Sequence, residues 1–229
     1  MIGYDLIIPI YKEKKIINLI DYIFKSTKNL NQVILCYDDD DDISYQLIRK
    51  SSYSKNIKIK LIKNLKYGPC EAVKTAIKIS TSEAIIVYPA DDYHNGKLLD
   101  QMFKEYQNGN EVVCPSRFIK GGIIKNCPLL KLLIVKLVSK ILDITTKLNI
   151  KDPTNGFRLF SRKIIDKYKI ESTLGFAYSL ELLVKSNKDK FNIIELPSIW
   201  IERNDRKSSF KIFKWSSNYL KWFFLAIIN

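Results

Sequence analysis

The chain has 229 residues and 46% hydrophobic content, which suits one large domain with a proper core or two small ones. Lys and Arg total 38 against 24 acids, and the resulting net charge of +14 favours polyanions: nucleic acid, an anionic membrane face or phosphorylated small molecules. A lone histidine, His94, excludes a His-rich zinc site, and Cys36, Cys70, Cys114 and Cys127 sit at no metal-knuckle or thioredoxin spacing, which reads as reduced thiols in a cytoplasmic protein.

Strands are predicted over 4–10 (YDLIIPI), 32–37 (QVILCY), 57–63 (IKIKLIK), 84–88 (AIIVY) and 111–114 (EVVC). Helices are predicted between them over 13–26, 43–52, 69–80 and 96–107. Strands separated by helices of this length indicate βαβ units and a mainly parallel sheet. No basic segment precedes the first apolar run, so no signal peptide is expected, and no stretch reaches the roughly 20 apolar residues that cross a bilayer. One α/β domain is expected over 1–209, with 210–229 as an amphipathic helical extension.

In open α/β sheets ligands bind beyond the carboxyl ends of the strands. The loops at those ends hold Tyr11-Lys12-Glu13, the run Asp38–Asp42, Lys66-Tyr67-Gly68, Asp91-Asp92 and Ser116-Arg117. Acids and bases together suit a metal ion and a phosphorylated ligand. Adjacent acids such as Asp91 and Asp92 repel each other unless a cation or hydrogen-bond donors compensate. Two readings follow: hard oxygen ligands for Mg2+ or Mn2+, or caps for the helix that follows. The Asp38–Asp42 run reads mostly as a solvated turn with a helix cap. It could also bind Ca2+, but it lacks the Gly and distal Glu of an EF-hand loop.

These segments carry a family resemblance. "LIIPIYKEKKIINLI" resembles the opening of family 2 glycosyltransferases of the GT-A fold: Pro9, Tyr11 and Glu13 match, and Lys12 replaces an Asn. "VILCYDDDDDIS" resembles the second signature; Asp38 and Asp42 match, and Tyr37 stands where the first Asp is expected. "NLKYGPCEAVKTAI" matches a glycine-containing segment at Gly68 and Ala72, with Cys70 and Ala76 replacing other glycines. "VYPADDYH" resembles the Asp-x-Asp metal motif at Asp91 and Asp92, with Pro89 in place of the first Asp. The second half resembles the polyprenyl-phosphate (dolichyl-phosphate mannose synthase-like) branch in "CPSRFIKGG", "DPTNGFRLFSRKII" and the block running from Glu181 through Glu195, Pro197 and Arg203 to Ser208, where Arg206 replaces a Gly.

The resemblance implies a Rossmann-like GT-A domain with a central mixed, mostly parallel sheet, and an inverting transfer of sugar from a nucleotide-diphosphate donor. It assigns Pro9, Tyr11, Glu13, Asp38, Gly68, Ala90, Asp91 and Asp92 to the nucleotide sugar, and Asp91 and Asp92 to Mg2+ or Mn2+. Arg117 and Arg203 are expected in catalysis as phosphate contacts, with Lys131 and Ser208 beside them; surface ion pairing is the alternative for both arginines. A polyprenyl phosphate acceptor is ionised near neutral pH and needs steering cations, whereas a sugar hydroxyl on a glycan needs a base. Asp152 is the base candidate, or else a structural carboxylate that fixes its loop.

Two greasy segments remain. In 128–149, Lys136, Lys140 and Lys147 share one helical stripe among Leu, Ile and Val, as an interfacial or a core-packing helix would have them. In "FKIFKWSSNYLKWFFLAIIN", Lys214 and Lys221 accompany Trp215, Tyr219, Trp222, Phe223 and Phe224. Basic and aromatic residues in an apolar segment too short to span describe a helix lying in a membrane interface, with oligomer contact or core capping as the alternative. With the charge, this points to peripheral attachment at the cytoplasmic, inner face of an anionic membrane, and leaves open a membrane-protein partner or homo-oligomer. A basic nucleic-acid-binding protein is the distant alternative; it leaves the acidic loops unexplained, and no nucleic-acid module signature is visible.

Overall fold

A computed structural model describes residues 3–146, 148–203 and 212–228, with backbone only for 130, 131, 212–218 and 228. In chain order the elements are β1 (Tyr4–Ile10), α1 (Ile16–Ser26), β2 (Leu30–Tyr37), α2 (Ile43–Lys50), β3 (Ile59–Lys63), α3 (Pro69–Ile77), β4 (Ala84–Val87) and α4 (Gly96–Gln107). They continue as β5 (Val112–Ser116), β6 (Ile123–Lys125), α5 (Leu129–Thr145), β7 (Arg158–Ser161), α6 (Arg162–Lys167), α7 (Ala177–Lys188), β8 (Ile193–Pro197), β9 (Ile199–Ile201) and α8 (Ile212–Ile228).

Seven strands form one sheet in the order β3-β2-β1-β4-β7-β5-β8, with β6 and β9 paired beside it. Strand β7 runs antiparallel to both β4 and β5, and the other pairings are parallel. The sheet is therefore mixed and mostly parallel, as expected. The two reversals at β7 cancel, so β1 to β5 all end at one edge and deliver the singled-out loops there.

Alternation along the strands builds a core on each face. Leu6, Ile8, Val33, Leu35 and Ile86 pack toward α1 and α4. Ile7, Ile34, Cys36, Ile85 and Val87 pack toward α3 and α7 on the other face. Helix α1 starts at Ile16, three residues later than predicted, because Lys12 has φ +51 and the chain turns before the helix begins.

The C-terminal helix is not a free extension. Trp222 and Ala226, one turn apart, are buried in the α7 face of the core, and Trp222 Nε1 donates to Ser172 Oγ at 2.8 Å. Lys221 pairs with Glu171 at 2.7 Å. Trp222 is thus a core residue and not the interfacial aromatic expected from composition; the Trp215 and Lys214 side chains, and Lys147, lie outside the described residues.

Candidate active site

The first two loops are tied by Asp42. Its Oδ1 accepts from Ser44 N–H at 2.7 Å, capping α2, and its Oδ2 accepts from Lys12 N–H at 2.8 Å. Ser44 in turn accepts from Glu13 N–H at 2.8 Å. Asp38 ties the second loop to the third: it accepts from Asn64 Nδ2 at 2.8 Å and from Gly68 N–H at 3.0 Å. Gly68 adopts φ +94 just before Pro69 opens α3, a backbone state that glycine reaches without strain. Tyr37 does not substitute chemically for the expected Asp; its ring packs on Tyr45 with centroids 4.2 Å apart. Pro9 lies within β1 opposite Cys36, and Tyr11 stands 52% exposed at the strand end.

Glu13 is buried, and its Oε2 accepts from Arg203 Nη1 at 2.6 Å, across 190 residues of sequence. Arg203 therefore reaches the loop after β1 and meets a carboxylate there. Ser208 lies outside the described residues, as does the side chain of Lys131.

The two acids after β4 have separate fates. Asp92 accepts from His94 N–H at 2.8 Å, Asn95 N–H at 3.0 Å and Asn95 Nδ2 at 2.6 Å. Burial pushes its carboxyl above the usual carboxylate range, against the pull of the His94 and Asn95 bonds. This carboxylate shapes the turn before α4. Asn95 also exchanges two hydrogen bonds with the backbone of Ile199, at 2.8 and 2.9 Å, fastening the turn to β9. Asp91 and Ala90 are half-buried at the sheet edge. Among the described residues no three His, Cys, Asp or Glu side chains gather as a metal set.

After β5, Arg117 and Asp152 form one unit. Asp152 is fully buried; its Oδ2 accepts from the Arg117 backbone N–H at 2.9 Å and from Nε at 2.6 Å, and its Oδ1 accepts from Nη2 at 2.7 Å. The guanidinium lies 4.7 Å from the Trp200 ring centroid. Glu195 accepts from the backbone N–H groups of Asp152 and Lys151 at 3.0 and 2.9 Å. Arg158, wholly buried, donates to the carbonyls of Ser179, Asp152 and Pro153. Both oxygens of Asp152 are held by the Arg117 cation, a geometry that favours the loop-fixing reading of this carboxylate over the base reading. Arg117 spends two of its guanidinium donors on that carboxylate, which limits its expected service to phosphate.

Beside this unit, between the 117–122 loop, β6 and α5, lies an open cleft of about 530 Å3. Arg117, Phe118, Ile124, Lys136, Lys140 and Lys151 are among its walls.

Sequence reasoning missed Asn64, Asn95, Trp200 and Arg158. Asn95 carried a signal, an Asn directly before a helix-opening Gly. Arg158 is the arginine that ends the DPTNGFR motif, and that position was its signal; Asn64 and Trp200 meet partners far away in sequence and carried none.

The chain is 27% identical over 199 residues to a dolichol-phosphate mannosyltransferase from Pyrococcus furiosus, covering 84% of this chain and 55% of that protein. It is 22% identical over 143 residues to a polyprenol monophosphomannose synthase from Mycolicibacterium smegmatis, covering 57% of this chain and 54% of that protein. The chain thus spans about half the length of the curated relatives it matches. Its fold resembles that of glucosyl-3-phosphoglycerate synthase from Mycobacterium tuberculosis, solved with Mn2+, uridine diphosphate and glucosyl-3-phosphoglycerate: the TM-score is 0.70 at 12% identity, over 97% of this chain and 78% of that one. The GT-A architecture implied by the motifs is the one observed. Residues 5–169 match the sequence model of glycosyl transferase family 2, and the chain belongs to that family.

Proposed function

We propose that the protein is an inverting glycosyltransferase that moves a sugar from a nucleotide-diphosphate donor to a polyprenyl phosphate at the cytoplasmic face of a membrane. The observation that carries the acceptor choice is the locking of Asp152 by Arg117. A hydroxyl acceptor needs a positioned base, and the carboxylate that sequence offered for that task is engaged. A phosphate oxygen is already ionised; it attacks the anomeric carbon directly while the nucleoside diphosphate leaves, and cations suffice to place it. The names of the two curated relatives support the same acceptor class.

The donor belongs at the ends of β1 to β4, where Pro9, Tyr11, Gly68, Ala90 and Asp91 stand, with Asp38 and Glu13 shaping the loops. A divalent ion fits there: Asp91 offers a hard oxygen at a strand end, and one carboxylate with diphosphate oxygens and water is a usual Mg2+ set. Such an ion, Mg2+ or Mn2+, would neutralise charge developing on the leaving diphosphate. The Mn2+ and Mg2+ complexes of the mycobacterial synthase with uridine diphosphate support this reading.

Exposed apolar residues support the membrane reading. Leu129, Leu133, Leu137 and Ile141 repeat every four residues along α5, and Leu220, Phe224 and Ile227 stand on α8. Exposed apolar residues on helices of this kind fit contact at a membrane interface; no helix among the described residues is long and apolar enough to cross a membrane. The experiment is a donor screen: purified protein, Mg2+ or Mn2+, UDP- and GDP-sugars, and detection of released nucleotide with and without polyprenyl phosphate. Release stimulated by the lipid supports the proposal. Release stimulated only by a glycan moves the function to a hydroxyl acceptor.

A further inference from the structure

Strand β3 is an outer strand of the sheet, and among the described residues no strand pairs with its free side. Lys58 O accepts from Val33 N–H, and Asn64 N–H donates to Tyr37 O, both at 2.7 Å. Bonds to one neighbour fall on alternate residues of a parallel strand. Lys60 and Ile62 therefore also turn their backbone groups toward β2, and Leu61 and Lys63 turn theirs outward. The carbonyl of Ile59 points outward too, while its N–H donates to Asn56 O at 2.9 Å. The other outer strand, β8, ends in Pro197, which has no N–H to offer. Open edges are usually blunted by charge, yet Lys63 on β3 is paired with Asp40. Apolar residues flank the strand on both sides: Ile57 is 87% exposed and Leu65 72%. The two ends of β3 differ in charge. Asp39 and Asp41, both exposed, follow β2 at the level of the carboxyl end of β3; Lys55 and Lys58, both exposed, precede its amino end.

We propose that β3 is the contact between two copies of this chain, paired antiparallel about a two-fold axis at Leu61. In that register Leu61 exchanges both backbone bonds with Leu61 of the second copy, and each Lys63 N–H donates to the opposite Ile59 O. Ile57 and Leu65 lie equally far from Leu61 in sequence, so Ile57 of one copy meets Leu65 of the other. The antiparallel setting also brings the acidic end of each strand to the basic end of its mate, Asp39 and Asp41 against Lys55 and Lys58. An acidic peptide in the same place would meet those aspartates as like charges, which favours a second copy. The two-fold axis is normal to the sheet, so the face carrying α7 and α8 points the same way in both copies, as attachment of both to one membrane requires. A contact of one short strand falls at the weak end of specific interfaces, so the dimer dissociates on dilution.

The test is sedimentation velocity on the full chain over a dilution series, with residue-resolved amide exchange on the same samples. A monomer–dimer equilibrium is expected. The amides of Leu61 and Lys63 should exchange more slowly as concentration rises, while those of Lys60 and Ile62, already bonded to β2, stay the same. Lys63→Pro removes an outward N–H and leaves the β2 ladder intact, a change that edge strands tolerate; it is expected to weaken the dimer at least about tenfold with melting retained. Charge reversal is the second check and leaves the backbone alone. Asp39→Lys/Asp41→Lys and Lys55→Glu/Lys58→Glu are each expected to be monomeric alone and to form a mixed dimer together, because only the mixture has opposite charges at both contacts. A chain that is monomeric at every concentration overturns the proposal. So does a dimer that survives both Lys63→Pro and charge reversal, since it must use another face. Protection of Leu61 and Lys63 that appears only on adding polyglutamate makes the edge a peptide site and also overturns pairing between copies. None of these readouts depends on a nucleotide sugar or a lipid, so they stand apart from the function proposed above.

Discussion

Arg117 and Asp152, 35 residues apart, meet through three hydrogen bonds in which Asp152 accepts from both the backbone and the guanidinium of Arg117. The end of β5 and the loop before β7 are thereby one rigid piece, and the carboxylate is part of the frame around the cleft.

Asp152→Asn is therefore expected to lower stability, by about 3–5 kcal/mol, because it leaves a largely buried guanidinium without its counter-charge. Thermal unfolding measures this. A variant with unchanged melting and a lost acid limb in its pH–rate profile would make Asp152 a catalytic base after all.

Asp91 and Asp92 should separate cleanly. Asp91→Asn is expected to abolish most metal-stimulated turnover at unchanged melting temperature. Asp92→Ala is expected to cost about 1–3 kcal/mol, since three donors around it lose their acceptor. Metal titrations of activity beside melting curves check both; a metal-responsive Asp91→Asn enzyme would remove Asp91 from the donor site.

Acid stability should report Asp5 at the opposite end of the sheet. Burial alone would raise its carboxyl, but hydrogen bonds from Ser82, Gln32 and Asn31 outweigh it and hold the group below the usual range. Its folded value lies below its unfolded one, about 3.9. The stabilisation is present above that pH and is lost as pH falls through the folded value. The half-buried Asp92 has the opposite sign: its raised value favours the folded protein at low pH, and that contribution is lost as pH rises through it. Asp5→Asn should flatten the fall in stability below about pH 4; denaturant melts between pH 2.5 and 6 show whether it does.

On the apolar helix faces, Leu133→Ser, Leu137→Ser and Phe224→Ser combined should release the protein from anionic vesicles with little change in melting, since all three are exposed. Trp222→Ala should instead unfold it by about 3–5 kcal/mol, as a core truncation does. Retained vesicle binding by the triple variant would make these faces a contact with protein.

The sequence made the strands and their loops readable because alternation and length separate buried strands from helices. Asp42 as a cap was readable too, two residues before the N–H it receives. The partners of the functional acids were not. Asn64 for Asp38 and Arg203 for Glu13 are set by which strand ends lie side by side, and local spacing does not encode that. Trp222 shows a different error: aromatic content suggested a membrane face, while its spacing of four from Ala226 already placed both on one buried stripe.

The most direct measurement is the fate of a radiolabelled sugar. Purified protein with Mg2+ or Mn2+, a labelled UDP- or GDP-sugar and undecaprenyl or dolichyl phosphate should transfer label into a lipid extract and release it under mild acid, as a glycosyl phosphate does. Label that enters only an added glycan, in a product stable to mild acid, would contradict the phosphate acceptor.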